Sequence, residues 1–443
     1  MIENTKMRKK LFIKTWGCQM NVYDSARMAD VLAPLGYDRT EEQSQADLII
    51  LNTCHIREKA SVKLFSELGR LRDVQKARAE EGVKVTIAVA GCVAQAAGEE
   101  IATRAPYVSM IIGPQAYHRL PEMLVRAAAS DGCVLDTDFP ADSKFDSLPQ
   151  EQDNQKGVSA FLAVQEGCDR FCSYCVVPYT RGLEYSRPMA AIVEEARVLV
   201  EGGAKEITLL GQNVNAYHDE SGAGLAAVIE KLAAMEGLLR IRYTTSHPLD
   251  MDEALIAAHR DVPKLMPFLH LPVQSGSDKI LAAMNRKHTA DDYRRVVEQL
   301  KLAQPKLALS SDFIVGFPGE TEEDFEATMQ IVRDVTYAQA FSFKYSRRAG
   351  TPAAVMTSQV QEDVKQERLV RLQALLRQQQ TDFNKACVGQ TMSVLVENES
   401  RVKGHMFGRS PYMQAVRLKG DASMIGTEQT ATITRGDPNS LMG

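Results

Sequence analysis

The sequence predicts an α/β protein in three parts: an N-terminal doubly wound parallel sheet, a central (β/α) partial barrel and a small C-terminal all-β barrel. Three observations lead there. Short apolar runs alternate with longer amphipathic stretches at the start of the chain and again after a polar, proline-bearing interruption, which is the pattern of parallel sheets with crossover helices. After Gly389 the texture changes to β-branched, alternating segments separated by glycine-containing turns. At 443 residues the chain is also too long for one hydrophobic core.

In the first part, 1–140, Leu11–Thr15, Asp47–Asn52, Val85–Ala90 and Val108–Ile112 read as strands with helices between them. From Asp136 to Lys156 no apolar period survives, and a linker is placed at 141–157. In the second part, 158–378, strand-like runs recur at Phe161–Gln165, Glu206–Leu210, Arg240–Thr244, Phe268–Leu271, Ala308–Ile314 and Ala340–Lys344. Six such units suit a complete or partial β/α barrel. Gln361–Asn384 is charged with leucines at helical spacing (Leu369, Leu372, Leu375, Leu376) and reads as a connecting helix. The third part, 379–443, holds Met392–Val396, Met413–Leu418 and Thr430–Thr434, which suit a small β-barrel. A last barrel strand would be expected just where the sequence stops at Gly443, so the barrel is expected to be incomplete or closed differently.

No run approaches the roughly 18 apolar residues of a membrane span. Met1–Lys10 is polar and basic, and Leu11–Ile13 is too short for a signal-peptide core, so a cytoplasmic location and no membrane partner are expected. In a reducing compartment the eight cysteines would bind metal, do redox chemistry or sit inert rather than pair as disulfides. The net charge of −5 argues against a global attraction to nucleic acid. Its deficit lies in the middle of the chain, since residues 1–145 carry 19 basic and 19 acidic side chains and residues 380–443 carry 7 and 6. RNA, if bound, must be held by local patches.

Two cysteine constellations carry the chemistry. Gly167-Cys168-Asp-Arg-Phe-Cys172-Ser-Tyr-Cys175 packs three thiols into eight residues directly after the first barrel strand. Three thiolates suit a 4Fe-4S cluster with one iron left open to an exogenous ligand. A zinc site completed by a distant fourth ligand is the bland alternative. The spacing Cys-x-x-x-Cys-x-x-Cys, with aromatic Tyr174 before its last member, is similar to the signature of radical S-adenosylmethionine (SAM) enzymes. Separately, Cys18, Cys54 and Cys92 each follow a predicted N-terminal strand, so a parallel sheet would bring them to one edge. There they suit a second 4Fe-4S cluster, against the alternative of three small buried hydrophobes. Cys133 and Cys387 lack such a context and are expected to be inert packing residues.

With both constellations in view, the chain resembles the methylthiotransferase family of radical SAM enzymes, and most closely its tRNA-2-methylthio-N6-dimethylallyladenosine synthase branch. The resemblance spans nearly the whole length, through Thr15-Trp-Gly-Cys-Gln-Met-Asn21, Val176-Val-Pro-Tyr-Thr-Arg-Gly182, Leu210-Gly-Gln-Asn-Val-Asn215, Ser246-His-Pro248, His270-Leu-Pro-Val-Gln-Ser-Gly-Ser277 and Asp312-Phe-Ile-Val-Gly-Phe-Pro-Gly-Glu-Thr321. It implies that SAM chelates the open iron at Cys168, Cys172 and Cys175 and yields a 5′-deoxyadenosyl radical. A second SAM would methylate sulfur carried at Cys18, Cys54 and Cys92. The product would be a methylthio group in place of the C2 hydrogen of N6-isopentenyladenosine. The implied partners are a tRNA anticodon stem-loop carrying that nucleoside and a flavodoxin- or ferredoxin-like electron donor, and a monomer is expected.

Tyr174, Gly211, Gln212, Asn213, Gln274, Ser275, Ser277, Gly316 and Glu320 are read as SAM contacts because they adjoin the motif or predicted strand C-termini, where a β/α barrel builds its site; plain turns are the alternative for the glycines and serines. His247, in Ser246-His247-Pro248, is read as a structural hydrogen-bonding group. The segment from about 380 resembles a TRAM domain, with Lys385, Arg401, Lys403, Arg409, Arg417 and Lys419 as candidate phosphate contacts. The chain departs from the family pattern at His55, where a small residue is usual, and at Ala349, where a proline is usual and a local turn is placed in doubt. Rival readings are a methylthiotransferase for a ribosomal-protein aspartate or for threonylcarbamoyladenosine, which Gln19-Met20 disfavours, and a non-enzymatic iron-sulfur or zinc RNA-binding module.

Overall fold

The computed structural model describes residues 8–55, 60–130, 132–140, 143–149 and 157–443. The chain divides into two units, one formed by the region up to residue 155 together with Val176–Leu183, the other by 156–175 and 184–443.

The first unit is a six-stranded parallel sheet in the order β2-β1-β3-β4-β5-β6, with β1 Lys9–Trp16, β2 Tyr37–Arg39, β3 Leu48–Thr53, β4 Thr86–Gly91, β5 Met110–Ile112 and β6 Val134–Asp136. The helices are α1 Gln19–Leu32, α2 Ala60–Glu80, α3 Cys92–Arg104 and α4 Leu120–Ala129. All six residues of β3 are buried, as a central parallel strand covered on both faces requires. Its period of two feeds two cores: Leu48 and Ile50 pack with Met28 and Leu120 on one face, Ile49 and Leu51 with Leu64 and Val93 on the other. The sheet is therefore doubly wound, and its strand order reverses about β1, which makes the C-terminal ends of β1 and β3 the crevice of the fold. The expected linker falls largely on residues outside those described. Within it, Lys144–Ser147 forms a short 3-10 turn, with the Lys144 ammonium buried and donating to the Pro114 carbonyl at 2.9 Å.

In the second unit β7 Ser159–Ala163 ends one residue before β8 Gln165–Glu166, so the run expected as one strand is two. The short β8 pairs with β9 Tyr185–Ser186 and closes the base of the loop carrying Cys168, Cys172 and Cys175. The helix α5 Val177–Arg181 follows that loop and belongs to the first unit. The barrel strands β10 Glu206–Leu210, β11 Arg240–Thr244, β12 Phe268–His270, β13 Ala308–Val315 and β14 Gln339–Lys344 form, with β7, two three-stranded parallel sheets, β11-β10-β7 and β12-β13-β14. A single bridge from Ile241 to Leu265 spans the seam. This is a partial barrel of six strands. Helices α6 Met189–Glu201, α7 Leu225–Ala233, α8 Glu253–Asp261, α9 Asp278–Ala283, α10 Ala290–Ala303 and α11 Glu322–Val335 are interleaved with its strands. Ile207, Leu209, Ile241, Leu269, Phe313 and Val315 point from the strands into one core with Ile192, Val228 and Leu300 from the helices.

The expected connecting helix is α12 Glu362–Ala386, with Leu372 and Leu376 buried. It leads into a curled sheet of order β18-β15-β16-β17-β20-β19: β15 Thr391–Glu399, β16 His405–Arg409, β17 Ala415–Lys419, β18 Glu428–Thr432, β19 Arg435–Asp437 and β20 Ser440–Met442. The last strand of the sheet, β20, runs parallel to β17 and antiparallel to β19. Arg240 and Arg242, on the strand face opposite the helix-packed core, tie this sheet to the barrel. Arg240 is fully buried and donates to the carbonyls of Arg409 (2.9 Å) and Ser393 (3.1 Å) and to the Glu428 carboxylate (2.7 Å), while Arg242 donates to the carbonyls of Ser410 and Pro411. The turn at Ala349 forms without a proline, through Gly350 at φ +83° and a Thr351 amide that reaches the Arg348 carbonyl at 3.1 Å.

Candidate functional site

The Cys168–Cys175 loop leaves β8 through Gly167 at φ +76° and bends again at Phe171, φ +46°. Three loops hold it. Gln165 accepts from the amides of Gln212 (2.8 Å) and Asn213 (3.3 Å) and donates to the Gly167 carbonyl, while the Gly167 amide donates to Gln212 Oε1 at 2.6 Å. The predicted Gly211–Asn213 stretch is therefore bound directly to the motif. Asn285 Nδ2 donates to the Arg170 and Phe171 carbonyls, and Ser173 is tied to Ala283 and Met284. Arg170 pairs with Asp250, which also accepts from Asn213 Nδ2 at 2.8 Å. Tyr174 packs in a small core with Met284, Phe317 and Tyr345.

Around these thiols lies a buried polar surface. Arg286 Nη1 lies 3.8 Å from Cys172 Sγ. Asn213 Oδ1, Ser246 Oγ, His247 Nε2, Arg286 Nε and His288 Nε2 are buried without a hydrogen-bond partner among the described residues. The His247 and His288 rings meet edge to face at 5.6 Å. Burial, with the Arg286 charge nearby, holds both below the usual histidine range, His288 at about 4. Burial also pushes the Cys168 thiol up to about 11, so deprotonation there needs a cation to replace lost hydration. Three thiols for soft metal beside unspent donors and acceptors for a polar ligand fit a 4Fe-4S cluster with SAM. The expected structural role of His247 is visible too: its Nδ1 accepts from the Leu249 amide.

The remaining predicted contacts lie at strand C-termini, and Ser275, Ser277 and Glu320 spend their side chains within the fold. Gln274, at φ +75°, is held through its main chain, its amide donating to the Asp312 carbonyl and its carbonyl accepting from the Ile314 amide. Ser275 meets Thr328 Oγ1 at 3.2 Å, and Ser277 caps α9 while donating to Asp324 at 2.7 Å. Gly276 abuts the Ala327 main chain so closely that no Cβ would fit. Glu320 accepts from the Gly316 amide and from Arg368, both at 2.8 Å, and burial pushes its carboxyl up to about 6. These positions pin α9, α11 and α12 to the barrel.

In the first unit, Trp16, Thr53 and Gly91 are consecutive register partners across β1, β3 and β4. Cys18, Cys54 and Cys92 therefore emerge side by side, on adjacent strands about 4.8 Å apart. The strand ends are shaped for close approach. Gly17 and Gly91, at φ +141° and +90°, leave room for Cys54, Asn21 and Asn52 that a Cβ would take. Asn21 Nδ2 donates to Asn52 Oδ1 (2.9 Å), Asn52 Nδ2 to the Asn21 carbonyl and Ser25, and Cys18 Sγ lies 3.2 Å from Asn21 Oδ1. Hydrogen bonding with Cys54, helped by the Arg181 charge, lowers the Cys18 thiol to about 6, whereas burial raises Cys92. The donor set and the glycine-shaped cradle fit a second cluster. Among the described residues, no three His, Cys, Asp or Glu side chains converge tightly on a single-ion point. Asn21, Asn52, Arg181 and Arg286 had no expected role from sequence; Asn21 and Arg181 stand in motifs quoted above and Asn52 ends a predicted strand, and only the folded geometry shows their use. Cys133 packs against the first unit's core and Cys387 is buried in the C-terminal one.

On the C-terminal sheet the register sets Phe407 opposite Arg417 and His405 opposite Lys419, with the Arg409 guanidinium 5.4 Å from the Phe407 ring centroid. Lys385, Arg401, Lys403 and Lys419 are exposed; Arg409 is half-buried against Glu397. No described helix is long and apolar enough to cross a membrane.

Comparison with known proteins gives three family matches. Residues 162–332 match the radical SAM superfamily, residues 10–113 the uncharacterized protein family UPF0004, and residues 385–443 the TRAM domain. This order of domains is typical of methylthiotransferases. Among solved structures, the chain is similar to the radical SAM methyltransferase TsrM from Kitasatospora setae (TM-score 0.58, 12% identity, 78% of this chain and 75% of that one). It is also similar to the cobalamin-dependent radical SAM enzyme OxsB (TM-score 0.55, 12% identity), covering 84% of this chain and 56% of that one.

Proposed function

We propose that this chain, a radical SAM superfamily transferase of methylthiotransferase-like architecture, replaces the C2 hydrogen of N6-isopentenyladenosine in a tRNA anticodon loop with a methylthio group. One observation carries the reading: a three-thiol barrel loop, three register-aligned strand-end thiols and a TRAM domain occupy the same chain. Adenine C2 is not acidic, so its hydrogen calls for radical rather than acid–base chemistry. Cys168, Cys172 and Cys175 would hold one 4Fe-4S cluster with SAM, and Cys18, Cys54 and Cys92 a second; when bound, they supply the radical and the methylated sulfur.

The chain's own residues do the positioning. Gln165, Gln212 and Asn285 fix the path of the Cys168 loop, and Asp250 locks Arg170 and Asn213 beside it. Asn213, His247 and His288 carry unspent buried polar atoms, and neutral imidazoles there would orient the amino, carboxylate and ribose groups of a bound cofactor. Asn21 and Asn52 hold the Cys18 turn against β3. Phe407, Arg409, Arg417 and Lys419 offer stacking and phosphate contacts to a single-stranded loop, whose purine needs unstacking but not strand separation. Gln19-Met20 after Cys18 supports the isopentenyladenosine branch over its rivals.

The test is nucleoside mass spectrometry of tRNA from a strain lacking this gene. Loss of the methylthio nucleoside with accumulation of N6-isopentenyladenosine, reversed by this gene, is expected; unchanged tRNA would sink the proposal.

A further inference from the structure

Arg181 lies six positions after Cys175, yet it belongs to the first unit. It ends α5, a helix entered through Pro178 and left through Gly182 at φ +86°, and the main chain there is clamped by Gln115 Nε2 donating to the Arg181 carbonyl at 2.8 Å. Its side chain is 2% exposed. On one side Arg181 Nη2 donates to Asp24 Oδ2 at 2.7 Å, and the Lys144 ammonium stands 3.6 Å from the other Asp24 oxygen. Its charge lowers both the Cys18 and the Cys92 thiols, and at Cys92 a side-chain hydrogen bond from the guanidinium adds to that effect.

A guanidinium is costly to bury and cannot shed its proton, so its fixed place beside two thiols of the strand-end set calls for a function. The planar fork suits it to one: an N–H that meets the Asp24 carboxylate leaves others free to face sulfur. Asp24 stands on α1 less than two turns after Cys18, so the carboxylate that aims Arg181 is set by the same helix that presents the thiol.

We infer that Arg181 is a positioning residue of the strand-end site, donating an N–H···S hydrogen bond to the Cys92 thiolate and tuning the potential of the cluster held there, with Asp24 as its aiming carboxylate. The inference rests on the proposed second cluster. A hydrogen bond and a positive charge at a ligating sulfur stabilise the more reduced, more negative state, so they raise the reduction potential. Asp24 acts with the opposite sign through its charge. The chain thereby carries its own adjustment of the second site within the segment that follows the first motif.

The experiment uses anaerobically reconstituted full-length protein in which Cys168, Cys172 and Cys175 are alanine, so that only the strand-end cluster contributes. Iron content and an EPR-monitored redox titration are read for the parent and for R181Q, R181K and D24N. Expected are unchanged iron, a downward shift of potential in R181Q, a smaller shift in R181K, which keeps the charge without the fork, and an upward shift in D24N. Equal potentials in all four proteins, or shifts of the same sign in R181Q and D24N, would overturn the inference. If R181Q loses iron, the R181K and D24N titrations decide by the same signs. If the parent itself binds no cluster, the second-cluster reading fails, which is a separate result from equal potentials.

Discussion

Replacing Arg240 by methionine keeps most of the side-chain volume and removes its charge and donors. The structure fixes what is lost: two main-chain carbonyls, at Arg409 and Ser393, lose a charged donor, and Glu428 loses its ion pair. Glu428 is 36% exposed and rehydrates, so its share is small. Each carbonyl left without a partner costs on the order of 1–3 kcal/mol. The net loss is therefore about 3 kcal/mol, within the usual range for breaking a buried charged contact. Because the arginine joins the barrel to the curled sheet, the loss should fall on that sheet. Hydrogen exchange in R240M should quicken in β15, β16 and β18 while β1–β6 stay protected, and denaturant unfolding should begin with an early transition from the C-terminal sheet. Lysine at 240 can make only part of this set and should fall between. Unchanged exchange in β15 and β16, or an equal increase in β1–β6, would refute the reasoning.

Other expectations follow from the site. Cys172→Ala should abolish reductive cleavage of SAM, whereas Cys54→Ala should keep cleavage and lose sulfur insertion; assays of 5′-deoxyadenosine and of the modified nucleoside separate them, and equal loss of both contradicts the division of labour. Arg417→Ala with Lys419→Ala should weaken tRNA binding and flatten the salt dependence of log affinity by roughly 0.7–0.9 per phosphate contact removed, read by fluorescence anisotropy across a salt series. His259 is buried, meets Tyr243 Oη at 2.6 Å, and is pushed down to about 4. A histidine with a depressed folded value stabilises above its unfolded value of about 6.5 and loses that contribution as pH falls toward 4, here by about 3 kcal/mol. His259→Gln should remove that part of the pH dependence in denaturant titrations, and an unchanged slope between pH 6.5 and 4 would contradict it.

Long buried strands were legible because a parallel strand covered on both faces carries a continuous apolar run, as Leu48–Leu51 shows. The strands that escaped, Tyr37–Arg39, Val134–Asp136, Arg435–Asp437 and Ser440–Met442, have only three residues each, too few to display a period. His405–Arg409 escaped because Gly408 interrupts its alternation where the backbone passes close to Leu395. The break at Val164 was hidden because Phe161–Gln165 has no turn residue; the β8 ladder makes it. The six cysteines were singled out by spacing and by strand ends, and the structure sets three on one loop and three at neighbouring strand ends. Arg181, Arg286 and the Asn21–Asn52 pair were not, since arginine and asparagine are common in solvent-facing loops and only tertiary contacts reveal them buried beside sulfur. Ser275 and Ser277 show the converse: strand-end serines suggested ligand contacts, while the structure has them bonded to Thr328 and Asp324.

The most direct test of the two-site account is iron counting with product analysis on the reconstituted protein and on a variant with Cys18, Cys54 and Cys92 replaced by alanine. The account predicts about eight irons in the parent, as two four-iron clusters require, and about four in the variant. The parent should methylthiolate tRNA carrying N6-isopentenyladenosine; the variant should cleave SAM without doing so. Equal iron in the two proteins, or methylthiolated tRNA from the variant, would contradict it.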